Sequence, residues 1–338
     1  MLDTATATMP TRREEEEEEE ESSTMTSEEE DSVVSLEGLE ICTEDEMLEQ
    51  GLVAVGWEPR EFNHLKHKTK IERFRSEYGA KPAALAQLWE DLQTTKVEGA
   101  NIITAKVRSL TLFFAGLHFL KRYPKETERL RMWKMSENTA RKTCWAMVDC
   151  IGALKATKIV WPEDNFGTGE WGWGLSVDGV HFHSEEKVHA TLPKDPGLFS
   201  YKHNAAGFLY EIGLSMSESS CVWINGPFEA GTYNDVKIFK EKGLYNKLKA
   251  TKKRMIADGG YRGYPKYVST PNPLDSEEVK LFKSRARMRH EKFNGTLKTF
   301  ECLDSRFRHS KDRLQACFEA VVVIVQYMME TGEPLYDI

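Results

Sequence analysis

Four acidic residues occupy places where a folded chain could direct them at one point. Asp178 ends the apolar run Leu175–Val177 inside a predicted strand, and Asp258 follows the apolar run Met255–Ala257. Asp235 begins a predicted short helix, and Glu291 lies on a predicted long helix. A carboxylate within an apolar strand is costly unless it has a partner, and a divalent cation is one such partner. A site of oxygen ligands alone favours Mg²⁺ or Mn²⁺ over zinc. Two such ions can activate water and stabilise the leaving oxygen of a phosphodiester, so the four acids predict metal-dependent hydrolysis.

Each acid also has a plainer interpretation. Asp235 could cap its helix, and Asp258 could be a turn residue before two glycines. Glu291 lies opposite the apolar stripe of its helix, a position that ordinarily faces solvent. Asp178 is the least easily explained without a ligand.

Composition excludes several classes of protein. The chain has 338 residues, of which 40% are apolar, enough for a sizeable core. No run of eighteen apolar residues is present, so no membrane partner is expected, and the first thirty residues do not resemble a secretory signal. The six cysteines include no C-x-x-C pair, which favours reduced thiols in cytosol or nucleus over a structural zinc site or disulfides.

The net charge of −8 combines two opposite segments. Residues 1–50 carry 19 acidic side chains against two arginines, while residues 51–338 carry 44 basic and 35 acidic side chains. The run of eight glutamates Glu14–Glu21 cannot be buried, so residues 1–55 are predicted to be a disordered acidic tail. The tail could simply be solvated, or it could mimic DNA and cover the basic body. The basic body itself is typical of proteins that bind phosphate.

Residues 56–160 have helical periodicity and are predicted to form a DNA-binding region. Two helices are predicted around a tight turn before Ser136, which is a good N-cap for a helix through Ala153. This order describes a helix-turn-helix, whose second helix would direct Asn138, Arg141 and Lys142 at DNA. An ordinary helical hairpin with solvated charges explains the pattern equally well.

Residues 165–338 change to strand periodicity and then return to helices. Three strands are predicted at Trp173–Phe182, Gly207–Met216 and Ser220–Ile224, followed by a short helix, a buried strand and two long helices. The pattern predicts a mixed sheet flanked by helices, and the whole chain is therefore assigned to a mixed class of helix and sheet (α+β or α/β).

The segment from Val177 to Ile338 resembles the nuclease domain of DDE-superfamily endonucleases of the PIF/Harbinger transposase type. Four motifs in the right order carry the resemblance: Asp178-Gly179-Val180-His181; Gly226-Pro227-Phe228 through Gly231-x-x-Asn234-Asp235; Asp258-Gly259-Gly260-Tyr261-Arg262-Gly263; and Arg287-Met288-Arg289-His290-Glu291-Lys292-Phe293-Asn294-Gly295-x-Leu297-Lys298-x-Phe300. Any one of these motifs alone would be weak, whereas four in order are specific.

The resemblance implies an RNase H-like core that cuts DNA with Mg²⁺ or Mn²⁺. It implies a catalytic triad of Asp178, Asp258 and Glu291, with Asp235 as a further candidate metal ligand. Which three of the four form the triad stays open.

The resemblance also bears on DNA contacts and partners. Candidate phosphate contacts are Lys202, Arg287 and Lys298. Related elements often encode a separate Myb-like DNA-binding protein, which is therefore one expected partner, and self-association into a homo-oligomer is another. DNA as substrate predicts a nuclear location. The rival hypotheses are a domesticated DNA-binding protein that keeps the nuclease fold as a scaffold, and a nuclease without strand transfer.

Overall fold

The computed structural model describes residues 42–105, 107–162, 172–185 and 195–337. The predicted tail lies outside these ranges as far as residue 41. Its last part is described, and there the prediction of disorder is wrong, because Glu44–Ala54 forms helix α1. Thr43 and Glu46 form a capping box at the start of α1, and Met47, Leu48 and Leu52 are buried. Burial of these apolar residues stabilises the helix in spite of the acidic composition of the segment.

Short helices make up the first half of the described chain. Pro82 occupies the first turn of its helix, where its missing N–H costs nothing, and Gly79 ends the preceding helix in the left-handed conformation. A small hairpin of β1 (Lys96–Val97) and β2 (Ala100–Asn101) separates the fourth and fifth helices. The helices after α1 are α2 (Pro59–Phe62), α3 (His67–Tyr78), α4 (Pro82–Thr94), α5 (Leu110–Arg122), α6 (Glu126–Trp133), α7 (Glu137–Ala153) and α8 (Lys155–Lys158).

The predicted pair of helices around Ser136 is present as α6 and α7. The Ser136 side chain accepts a hydrogen bond from the Thr139 backbone N–H, as expected of an N-cap. Cys144, Met147 and Ile151 are buried on the inner side of α7. The opposite side of its N-terminal turns therefore faces solvent.

The second half contains the six-stranded sheet and its covering helices. The strands are β3 (Leu175–His183), β4 (Phe199–Ser200), β5 (Ala205–Ser215), β6 (Cys221–Glu229), β7 (Met255–Ala257) and β8 (Val268–Ser269). The helices are α9 (Asp235–Glu241), α10 (Leu244–Thr251), α11 (Glu277–Leu297), α12 (Glu301–Asp304) and α13 (Lys311–Glu330).

The sheet is mixed, as predicted. Strand β5 pairs antiparallel with β3, β4 and β6, whereas β7 pairs parallel with both β3 and β8. The first long strand, β3, is therefore central, with antiparallel strands on one side and parallel strands on the other. The change from antiparallel to parallel pairing lies between β3 and β7, the two strands that carry Asp178 and precede Asp258.

One hydrophobic core joins the two halves. Helix α13 is buried along most of its length, and the ring of its Phe318 packs at a tilt against Tyr210 of β5, with 4.0 Å between the ring centroids. α13 also packs against α7 and α4, so the described residues form one compact unit. In the ranges that the structure describes, no helix is long and apolar enough to cross a membrane.

Candidate active site

Asp178 lies in β3, and Asp258 directly follows the adjacent strand β7. Strands β3 and β7 run parallel, with Val177 opposite Ala257, so the next residue of each chain segment is an aspartate. The two acids come together because β3 and β7 are paired in register up to the residues just before them. Asp258 Oδ1 also accepts a hydrogen bond of 2.8 Å from the Gly260 N–H, which is the turn-capping interaction expected from its sequence.

Asp235, at the start of α9, reaches the same place from another element. Its carboxylate lies so close to Gly179 and Gly260 that a side chain at either glycine would collide with it. A Cβ atom at Gly260 would lie 2.5 Å from Asp235 Oδ2 and 2.9 Å from Asp258 Oδ1. The two glycines that follow the aspartates in the sequence motifs therefore leave room for three carboxylates to approach one another.

Burial and mutual repulsion change the acidity of this cluster. Burial, together with the charges of Asp258 and Asp235, raises the pKa of Asp178 to about 6. Burial also raises the pKa of Asp235, with Asp258 adding to the effect and Lys202 opposing it. The three carboxylates thus destabilise one another when all are ionised, which is the situation that a bound cation relieves.

Glu291 does not point into this cluster. Its side chain is 68% exposed, and its Oε1 lies 3.5 Å from Nε of Arg287 one turn earlier on α11. Asn294 occupies the position that faces the cluster, and its Nδ2 donates a hydrogen bond of 3.1 Å to Asp178 Oδ2. Since residues three apart are neighbours on a helix surface, Glu291 lies beside the residue that contacts Asp178.

The three predicted phosphate contacts near the acids are placed differently. Lys202 Nζ lies 3.5 Å from Asp235 Oδ2, with 68% of its side chain exposed. Arg287 pairs with Glu291 and lines an open cleft of about 660 Å³ that also contains Asp178 and Asp258. Lys298 caps the C-terminal end of α11 and is exposed. Lys202 and Arg287 therefore stand next to the acids.

The predicted DNA-contacting residues of α7 all face solvent. Asn138, Arg141 and Lys142 are exposed, on the side away from the buried face. Arg141 is engaged within the protein, because its Nε lies 2.6 Å from Glu126 Oε1 and its guanidinium also pairs with Glu137. Lys142 takes part in neither of these two ion pairs.

Sequence reasoning missed Glu211, a fully buried acid beneath the cluster. Glu211 lies opposite Gly179 in the β3–β5 pairing and has no exposed surface. Its Oε2 accepts a hydrogen bond of 2.9 Å from Trp223 Nε1. Burial raises its pKa to about 8, with the charge of Asp235 adding to the effect and Trp223, Asn225 and Tyr261 opposing it. The only signal in the sequence was one acid within an otherwise apolar strand, the same signal that marked Asp178.

The raised pKa of Glu211 predicts a pH-dependent stability. The folded state binds the proton more tightly than the unfolded state, so the free energy of unfolding falls as pH rises from about 4.5 to about 8. The side chain of the Glu211→Gln variant does not titrate. The free energy of unfolding of this variant should therefore rise by about 2 to 4 kcal/mol relative to that of the wild type across the interval. Urea unfolding of both proteins near both ends of the interval measures this gain. The matched control is Glu218→Gln, an exposed glutamate beyond β5. If the difference in unfolding free energy between Glu211→Gln and wild type is the same at both pH values, as expected for Glu218→Gln, the raised pKa of Glu211 is contradicted.

This part of the chain matches a known family of proteins. Residues 177–326 match the family model described as DDE superfamily endonuclease. The match begins one residue before Asp178 and contains all four candidate acids. The mixed sheet flanked by helices is compatible with the fold of such nucleases. No curated protein and no solved structure matches the chain significantly.

The donor set fits a hard divalent cation in its chemistry. In the ranges described, no group of three or more His, Cys, Asp and Glu side chains is arranged to hold a metal ion as it stands. The carboxylates of Asp178, Asp235 and Asp258 nevertheless supply the oxygen ligands that Mg²⁺ and Mn²⁺ prefer, and their repulsion would be relieved by one.

Proposed function

We propose that the protein is a transposase-derived, Mg²⁺- or Mn²⁺-dependent DNA endonuclease of the PIF/Harbinger type with an RNase H-like core. The observation that carries the proposal is the approach of three carboxylates, from β3, α9 and the end of β7, within the segment that matches the DDE endonuclease family. The proposed catalytic triad is Asp178, Asp258 and Glu291. Asp235 is proposed as an additional metal ligand.

In this mechanism the protein supplies position and charge. Asp178 and Asp258 would hold the metal from a rigid sheet, with Asp235 beside them and Glu291 turning in from α11. Bound divalent ions supply charge stabilisation at the phosphate and lower the pKa of an attacking water. Arg287 and Lys202 lie close enough to orient a DNA phosphate next to the acids. No covalent enzyme intermediate is needed, and the freed 3′-hydroxyl could attack a target strand in the same site.

The helical half would position the DNA. We propose that α6 and α7 act as the helix-turn-helix, with Asn138 toward base edges and Arg141 and Lys142 toward phosphate. Lys298 would extend the phosphate contacts from the end of α11. A nuclear location, a separate Myb-like protein and self-association of the chain belong to the same proposal.

A plasmid-nicking assay tests the proposal. Purified full-length protein should nick supercoiled plasmid in Mg²⁺ or Mn²⁺ and not in excess chelator, and the Asp178→Ala variant should not nick. DNA binding without nicking by the wild type would favour the rival hypothesis of a domesticated DNA-binding protein. The presence of terminal inverted repeats around the coding region would separate a transposase from a nuclease without strand transfer.

The helix-turn-helix proposal gives a separate prediction. The Arg141→Ala, Lys142→Ala double variant should bind DNA more weakly, and its affinity should fall less steeply with salt by about one unit of slope. The expected loss is close to that of one phosphate contact because Arg141 is already paired with Glu126 and Glu137. Titration of labelled duplex at several salt concentrations measures it, and cleavage at saturating DNA should not change.

The control for this prediction is a basic residue on another helix. Lys68→Ala removes an exposed lysine of α3 and should leave the salt slope unchanged. An unchanged affinity and slope in the double variant would show that α6 and α7 are a plain helical hairpin.

A further inference from the structure

The turn from Asn272 to Asp275 holds a leucine out in solvent. The Leu274 side chain is 91% exposed, more than any other large apolar residue within the described part of the chain. Burying a leucine side chain is worth about 1.5 to 3 kcal/mol, so a leucine held away from the protein is available for contact with another molecule. Its neighbours Pro271, Pro273 and Asp275 line the cleft that contains Asp178 and Asp258.

Hydrogen bonds make this turn rigid. The Leu274 N–H donates to Asn272 Oδ1 at 3.0 Å, and the Asn272 N–H donates to Asp275 Oδ2 at 3.1 Å. Lys283, buried on α11, donates to the same Asp275 oxygen at 2.7 Å and to the Thr270 carbonyl at 2.8 Å. The two prolines restrict the backbone further. Leu274 therefore projects from a braced turn that has little conformational entropy to lose on binding.

The cleft beside the turn has the chemistry of a nucleotide pocket. Its volume of about 660 Å³ lies within the range of about 300 to 1,000 Å³ of pockets that bind small organic ligands. Apolar surface comes from Ile256, Ala286 and the two prolines, which suits the face of a base.

Polar groups surround that apolar surface. Arg262, Lys280 and Arg287 bring positive charge to the cleft, which suits phosphate. Ser176 also lines the cleft, and its Oγ is buried without a hydrogen bond in the part of the chain that the structure describes. The cleft thus offers apolar surface and cations within the same cavity that contains two of the candidate catalytic acids.

We propose that Leu274 inserts between the bases of bound DNA next to the scissile phosphate, and that the nucleotide it unstacks enters this cleft. The proposal rests on the proposed endonuclease function and adds how the substrate is deformed there. An apolar side chain placed between base steps unstacks them, and a displaced nucleotide needs a receiving pocket. Here the rigid leucine and the cavity adjoin each other and the acids.

Fluorescence of 2-aminopurine tests the insertion directly. Nick positions are first mapped on plasmid DNA, and the fluorescent base is placed next to the main position in a short duplex. Without divalent cations, so that the strand stays intact, wild-type protein should raise the fluorescence several-fold as the base unstacks. Leu274→Ala should give little rise, whereas Leu274→Met should keep most of it. The matched control Leu281→Ala removes an exposed leucine of α11 that does not line the cleft and should behave as wild type.

Cleavage of pre-opened DNA separates insertion from a merely structural role. Leu274→Ala should cut a fully paired duplex about 10- to 100-fold more slowly, a loss of about 1.4 to 2.8 kcal/mol, and should recover on a duplex with an unpaired nucleotide at the labelled position. Ser284→Trp, which fills the cleft from an exposed position, should slow cleavage of both duplexes.

The outcomes distinguish the two proposals. Wild-type protein that cuts no DNA at all would overturn the proposed function. Wild-type cleavage with no fluorescence rise, or with full activity of Leu274→Ala on paired DNA, would overturn the insertion alone. A loss of cleavage by Leu274→Ala that pre-opened DNA does not restore would also overturn it.

Discussion

Replacing Asp178 by asparagine is expected to lower metal-dependent DNA cleavage about 10³-fold or more while making the protein more stable. The loss of activity follows because an amide cannot supply the charged oxygen ligand, and a thousandfold loss corresponds to about 4 kcal/mol of transition-state stabilisation. The gain in stability follows because burial, together with the charges of Asp258 and Asp235, raises the pKa of Asp178 to about 6. A residue selected only for stability would not show this opposition between activity and stability.

The pH dependence of the stability gain follows from the direction of the pKa shift. Because the folded state holds the Asp178 proton more tightly than the unfolded state, the wild-type protein loses stability as pH rises from about 4 to about 6. Asp178→Asn cannot lose this proton. Its advantage in the free energy of unfolding should therefore grow over that interval, to about 2 kcal/mol, and stay constant above it.

Thermal unfolding with and without Mg²⁺ connects the stability gain to metal binding. Mg²⁺ should raise the melting temperature of wild-type protein at neutral pH, because a ligand that binds only the folded state stabilises it. The same addition should have little effect on Asp178→Asn. The control Asp304→Asn removes an exposed acid of α12 and should respond as wild type. Equal Mg²⁺ stabilisation of Asp178→Asn and wild type would contradict the metal-site assignment.

The sequence predicted the sheet and the meeting of the acids for physical reasons. Strand patterns placed Asp178 within one strand and Asp258 directly after another, and parallel pairing of these strands in register brings the two residues together. The cap at Ser136 and the buried side of α7 were also readable, because capping and helical periodicity are local properties.

Contacts between distant segments could not be read in the same way. Asn294 reaches Asp178, and Lys202 reaches Asp235, only because α11 and the loop before β5 pack over the sheet. The acidic composition around Glu44–Ala54 predicted disorder, but this segment is a helix because its apolar residues are buried against the rest of the core. Glu211 was overlooked because a single acid in an apolar strand does not show which residues of other strands lie next to it.

The other large effect is expected at Glu291, although its side chain faces solvent. We expect Glu291→Gln to lower cleavage about 100-fold or more. An exposed ion pair such as Glu291 with Arg287 is worth at most about 1 kcal/mol, so a divalent cation at the aspartates can draw the carboxylate away at little cost. Glu291 neighbours Asn294 on the surface of α11, and Asn294 contacts Asp178, so Glu291 is the acid of this helix that we expect to turn toward the aspartates.

The neighbouring residue Asn294 provides the decisive comparison. Asn294→Ala removes the hydrogen bond that orients Asp178, so it should reduce cleavage only about 10-fold, with a weaker apparent affinity for Mg²⁺. Single-turnover cleavage measured over a range of Mg²⁺ concentrations separates the two effects. If Glu291 is the third ligand, its amide variant stays slow at saturating Mg²⁺, whereas Asn294→Ala recovers. The reverse result is an active Glu291→Gln and an inactive Asn294→Ala. It would assign the third position of the site to Asn294, which already contacts Asp178, instead of Glu291.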